Sequence, residues 1–158
     1  MKKQLRKGFS FGLTSGVITT LGLMIGLAYS TQSKLAVIGG IITIAIADAM
    51  SDALGVHIAE ESEKEHTHKQ IWDATISTAV WKFIVAITFL IPILAFTMQT
   101  AIIISIGWGF LLLSILSLKI AKRRNIKPWK VIFEHLLIAT IVIIITFLLG
   151  IGIAKILI

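Results

Sequence analysis

The 158 residues contain no cysteine. Disulfides, thiolate metal sites and cysteine nucleophiles are therefore excluded, and redox chemistry says nothing about compartment. No G-x-x-x-x-G-K-[ST] string occurs, so nucleotide-driven transport has no phosphate loop to support it. No nucleophile, base and orienting group can be assembled, so the chain is not expected to be an enzyme. Acidic residues are scarce, eight against fifteen lysines and arginines, which leaves a formal net charge of +7. The basic residues sit between apolar runs. They read as topology signals facing anionic headgroups, not as a nucleic-acid surface.

What the chain has in excess is apolar surface. Hydrophobic residues make up 56%, above the roughly 45–50% of soluble domains. Lipid must cover part of it. Five apolar segments stand out, at about 8–30, 35–59, 71–96, 100–118 and 131–156. Each reaches about the 20 residues that span 30 Å of hydrocarbon as a helix. Barrel strands would be shorter and would alternate polar with apolar residues. The expectation is an all-α integral membrane protein, one transmembrane domain over residues 1–158, in a multi-pass arrangement. The run from Phe9 to Tyr29 is too long for a signal-peptide core, and no A-x-A site follows it, so it reads as a retained helix.

Loop charges set the expected orientation. Lys2, Lys3, Arg6 and Lys7 precede the first segment, and six basic residues between Lys119 and Lys130 fill the fourth connection. The positive-inside rule puts the N-terminus and the second and fourth connections in the cytoplasm and the C-terminus outside. Trp72 and Trp129 fall at cytoplasmic interfaces, as belt aromatics do. Gly8, Gly12 and Gly16 form a ladder at spacing four, which suits close helix packing within the chain or a homodimer seam. Pro92 is expected to kink the third segment.

Ionisable residues inside the membrane are the informative ones, because each costs at least about 2.5–3.5 kcal/mol at mid-bilayer. Asp48 and Asp52 are four apart and project from one helical face. Counted back from Ala59, they lie about 16 and 10 Å deep. Two close carboxylates in low dielectric hold a proton between them unless a cation arrives, and hard oxygen donors suit Mn²⁺ or Fe²⁺. Lys82 lies at a similar depth, about 15 Å from Trp72. It is either a structural partner of the aspartates or the charge that a metal displaces. If the second helix continues past Ala59, Glu63 and His66 share the aspartates' face and would guide cations in. Against that, Glu60 with Lys64 and Glu65 with Lys69 suit a solvated, self-paired helix end. Ser15, Thr19 and Thr20 could add oxygen ligands, although such residues more often bond the preceding turn. Glu134 and His135 are expected to cap or solvate the start of the last helix.

At these residues the chain resembles the vacuolar iron transporter family. Ser15-Gly16-Val17-Ile18-Thr19-Thr20-Leu21 is similar to the family's D-G-x-x-T-T in its first helix, and Ala47-Asp48-Ala49-Met50-Ser51-Asp52 through Glu63 to its second. Pro92 and the run from Ala139 to Gly150 also fit. The resemblance implies a five-helix homodimer that moves Fe²⁺ or Mn²⁺ out of the cytoplasm in exchange for protons, with no permanently bound cofactor. It also implies a pore on the dimer axis lined by the first two helices. Metal would then meet Asp48, Asp52, Glu63 and His66, with Ser15, Thr19 and Ser51 lining the path. The chain departs from the family pattern twice: Ser15 stands where the family has Asp, and Asp52 where it has Met. Only Glu61 to Gln70 remains of the cytosolic metal-binding domain of some relatives. The alternatives are a transporter of another cation or solute on the same fold, or a non-transporting membrane protein with a structural Asp–Lys pair.

Overall fold

The computed structural model describes residues 3–157, with side chains to Ile156. Among these described residues six helices follow one another: α1 (Lys3–Thr31), α2 (Lys34–Glu61), α3 (His68–Thr88), α4 (Leu90–Ala95), α5 (Met98–Arg124) and α6 (Pro128–Leu157). Taken with α4 as one span, α3 joins four others to give five helices long and apolar enough to cross a membrane. A 28-residue helix measures about 42 Å, which covers the hydrocarbon and both headgroup layers. The chain is a multi-pass, all-helical membrane protein.

The helices run past the apolar segments because hydropathy marks only the part in hydrocarbon. A helix ends where a cap takes over its last backbone groups. Ser33 starts α2 by accepting the Ala36 N–H, and Thr67 starts α3 in a reciprocal capping box with Gln70. Asn125, left-handed at φ 56°, closes α5 after Lys122, Arg123 and Arg124, whose charges suit the negative end of the helix. Pro128 opens α6, where a missing N–H costs nothing. Pro92 acts upstream of itself, because its ring excludes the carbonyl four residues back. The span breaks at Phe89, whose N–H turns to Ala86 and Ile87.

α1 is the central helix and touches α2, α3, α5 and α6. Its Val17, Leu21, Met24 and Ile25 are buried with Ile41 of α2, Phe89 and Ile93 beside the break, and Leu113 of α5. The glycine ladder faces α3. A Cβ on Gly8 would collide with the Ala74 carbonyl, one on Gly12 would lie 2.6 Å from the Thr78 carbonyl oxygen, and one on Gly16 3.2 Å from that of Lys82. These glycines let α1 and α3 approach backbone to backbone, so they are not free to form a seam with a second copy. α6 packs on α1 through Gly150, whose added Cβ would meet the Gly26 carbonyl at 2.9 Å. Its other side presents Ile141, Ile144, Ile145 and Leu148 outward.

Candidate functional site

Close packing of α1 on α3 brings Lys82 to the contact between α1, α2 and α3, where it is 1% exposed. Such an ammonium needs counter-charge, because an unpaired buried ion costs several kcal/mol. It finds two. Nζ lies 2.5 Å from Asp48 Oδ2, pairs with Asp52 Oδ2, and donates to Ser15 Oγ at 2.9 Å. The Ser15 hydroxyl donates in turn to Asp52 Oδ2 at 2.6 Å. The Asp48 contact lies off the hydrogen-bonding direction and is ionic in character.

Both aspartates reach Lys82 because α2 presents them from one face, a single turn apart. Their side chains remain 28% and 22% exposed, whereas Lys82 is sealed in behind them. Two carboxylates against one ammonium leave a negative charge unbalanced, on the open side. A cation approaching from that side would meet hard oxygen donors already gathered on one helical face.

Other residues named from the sequence lie elsewhere. Thr19 Oγ1 bonds the Ser15 carbonyl at 2.8 Å, the ordinary fate of a helical threonine. Thr20 is buried and its hydroxyl has no protein partner. Ser51 is exposed beside Asp52. α2 does not continue to His66. It ends at Glu61, where the Ser62 N–H turns to Ile58 and Glu60 and its hydroxyl to Ala59. Glu63 is exposed in the following connection, and neither it nor His66 shares a helical face with the aspartates. Among the described residues no three His, Asp or Glu side chains come together as a metal-holding group.

His66 instead belongs to a second cluster centred on Glu60, a residue the sequence reading assigned to solvent. Glu60 is 1% exposed and does not pair with Lys64. It pairs with Lys7 of α1, and its other oxygen lies 3.1 Å from His66 Nδ1. The signal was present: Asp48, Asp52, Val56 and Glu60 form one row at spacing four. The competing signal is the i,i+4 pair that Glu60 could form with Lys64 in solvent. A groove of about 500 Å³ runs between α1 and α2 along this row, with Asp52, Ser51 and Gly55 on its wall and Lys7 and Glu60 at its end.

The remaining histidines hold helices together. His57 Nδ1 lies 3.0 Å from Thr75 Oγ1 and stacks edgewise on Trp72, which donates to His68 Nε2 at 3.2 Å. His135 Nδ1 meets Ser117 Oγ of α5 at 2.7 Å, while Glu134 stays exposed.

The model of the VIT family, the vacuolar iron transporters, matches residues 7–71. Over this stretch, less than half of the chain, the protein is similar to the VIT family. The match runs from Lys7 across α1 and α2 into the first turn of α3. It contains Ser15, Asp48, Asp52, Glu60 and His66 and stops short of Lys82. VIT proteins are membrane transporters of metal, not enzymes, and the two aspartates and Ser15 lie on the two matched helices, whereas Lys82 comes from α3. A comparison with curated proteins finds no match. Ser15 and Asp52, the two positions at which the resemblance noted above sets the chain apart from the family's pattern, are hydrogen-bonded to each other.

Proposed function

We propose that the chain exports a divalent metal, Fe²⁺ or Mn²⁺, from the cytoplasm in exchange for protons, as a homodimer with α2 facing its copy. The observation that carries this reading is the pair Asp48 and Asp52 on the VIT-matched α2, held by Lys82 of α3 and each about a quarter exposed on the outside of the protomer. With the N-terminus cytoplasmic, as the loop charges favour, a cation would enter past Lys7, Glu60 and His66. It would follow the groove to Asp52 and then reach Asp48, about 6 Å further along the helix axis. Arrival of the dication displaces the Lys82 ammonium from the carboxylates; its departure lets the ammonium return. Lys82 is thus a tethered competitor, and Asp48 and Asp52, which bind the metal, also take up and release the protons exchanged for it. A dimer would put four such carboxylates around one axis. The small residues exposed on α2, namely Gly39, Ala47, Ser51, Gly55 and Ala59, allow two copies to approach there.

The test is metal-driven proton movement in proteoliposomes, with Fe²⁺ and Mn²⁺ in turn. Wild type should couple the two fluxes, and Asp52→Asn should abolish them while the protein stays folded. Absence of flux with either metal in folded wild type sinks the proposal.

The burial of Lys82 favours a second reading, a structural ion triad without transport. In that case Lys82→Met should unfold the protein, because removing one partner of a buried pair costs about 3–5 kcal/mol. Under the transport reading the aspartates' exposure softens that loss. The variant then folds and binds metal more tightly, its competitor gone, while turnover falls.

A further inference from the structure

The start of α1 and the end of α5 leave between them a hollow of about 590 Å³ that the transport path does not use. Its floor is apolar. Phe9 and Trp81 meet edge to face with ring centroids 4.7 Å apart, and Leu116 is buried beside them. Its rim is cationic: Arg6 comes from α1, and Lys119, Arg123 and Arg124 from α5. No lining residue is acidic, and none of these four cations joins an ion pair among the described residues. Lys119 and Arg123 are four apart, an arrangement of like charges that weakens a helix unless an anion lies between them.

General positive-inside charge does not account for this placement. Lys122, Lys127 and Lys130 lie at the same end of the molecule and do not line the hollow. Arginine predominates on the rim, and its planar fork suits phosphate. A free phosphate would satisfy the rim and leave the aromatic floor bare. An acyl chain covers that floor, and a headgroup phosphate on the same molecule reaches the arginines. We propose that the hollow binds one anionic phospholipid, its phosphate among Arg6, Arg123 and Arg124 and its chain against Phe9, Trp81 and Leu116. The lipid would tie α1 to α5, two helices distant in sequence, at the end where both carry positive charge. This assignment stands independently of transport.

Native mass spectrometry of the full chain in neutral detergent, with phosphatidylglycerol or phosphatidylcholine added, tests it. Wild type should retain one phosphatidylglycerol in preference to phosphatidylcholine. Arg123→Gln with Arg124→Gln should weaken that retention on the order of tenfold, and so should Arg6→Gln from the opposite helix. Lys122→Gln with Lys127→Gln, which removes as much charge, should leave it unchanged. Melting in phosphatidylcholine alone identifies which variants fold; Arg6→Gln carries the test if the double variant does not. Equal losses in the two double variants would mean diffuse attraction and overturn the site, as would a wild type without preference. Inorganic phosphate protecting the fold as well as phosphatidylglycerol does would overturn the lipid assignment.

Discussion

α2 and α6 are the two least covered helices, with 22% and 11% of their spans buried, yet they are exposed for different ends. The outer side of α6 is branched and long aliphatic throughout, Ile141, Ile144, Ile145 and Leu148 among them. Lipid satisfies such a surface completely. The outer side of α2 mixes Ile46, Met50 and Leu54 with Gly39, Ala47, Ser51 and Gly55, and opens Asp48 and Asp52 at its edge. Lipid gains little from small residues and cannot solvate a carboxylate. Comparably low coverage therefore carries opposite meanings: the face of α6 suits lipid, and the face of α2 does not.

Paired substitutions can break that contrast. The largest effect is expected from a new charge. Ile145→Asp, on the outward face of α6, should cost about 2.5–3.5 kcal/mol of insertion free energy and sharply reduce folded protein. Ser51→Asp, equally exposed on α2, should cost less than half of that. Yield and reversible unfolding in bilayers measure both, and equal damage would erase the distinction between the faces.

Next comes the contact that holds the exposed helices' common neighbour. Gly12→Ala forces a methyl against the Thr78 carbonyl and should destabilise the fold by about 1–3 kcal/mol. Gly55→Ala, whose Cβ would meet nothing within 4 Å, should not lower the unfolding midpoint, since alanine favours the helix. A large loss at Gly55 would mean that α2 is already packed.

The smallest effect is the sharpest test of what α2 faces. Gly55 on α2 and Gly152 on α6 are both open within 4 Å of an added Cβ. Gly55→Leu should weaken self-association on the order of tenfold, an effect of about 1.4 kcal/mol, and Gly152→Leu should not alter it. Crosslinking at graded protein-to-lipid ratios reads this directly. No change in either variant would leave α2 without its proposed partner.

The five spans were legible because membrane insertion is decided by local composition: about 20 apolar residues suffice whatever they later touch. The break at Phe89 was foreshadowed by Pro92, since proline acts through its own ring on the preceding turn. The meeting of Asp48, Asp52 and Lys82 was legible as one of two readings, because depth along a helix can be counted from the interface. Glu60 was not. Its environment is set by Lys7, fifty-three residues away in sequence, and nothing in the local pattern distinguishes a carboxylate that folds inward from one that stays in water. The glycine ladder shows the same limit. Spacing told that something packs closely on α1, and only the placement of Ala74 and Thr78 told that it is α3.

By itself, then, the sequence determined an all-helical membrane protein, the number of its spans, and a costly pair of carboxylates on its second helix. Those follow from hydrophobicity, from obligatory backbone hydrogen bonding in lipid and from helical periodicity, all of which act over a few turns of chain. The tertiary structure alone decided that Lys82 fills the aspartate site and that Ser15 and Asp52 share one hydrogen bond. It alone decided that Glu60 is buried between Lys7 and His66 and that four cations gather over an aromatic hollow. Each of these joins residues from different helices, and which helix faces meet is settled by packing, not by any one segment's composition.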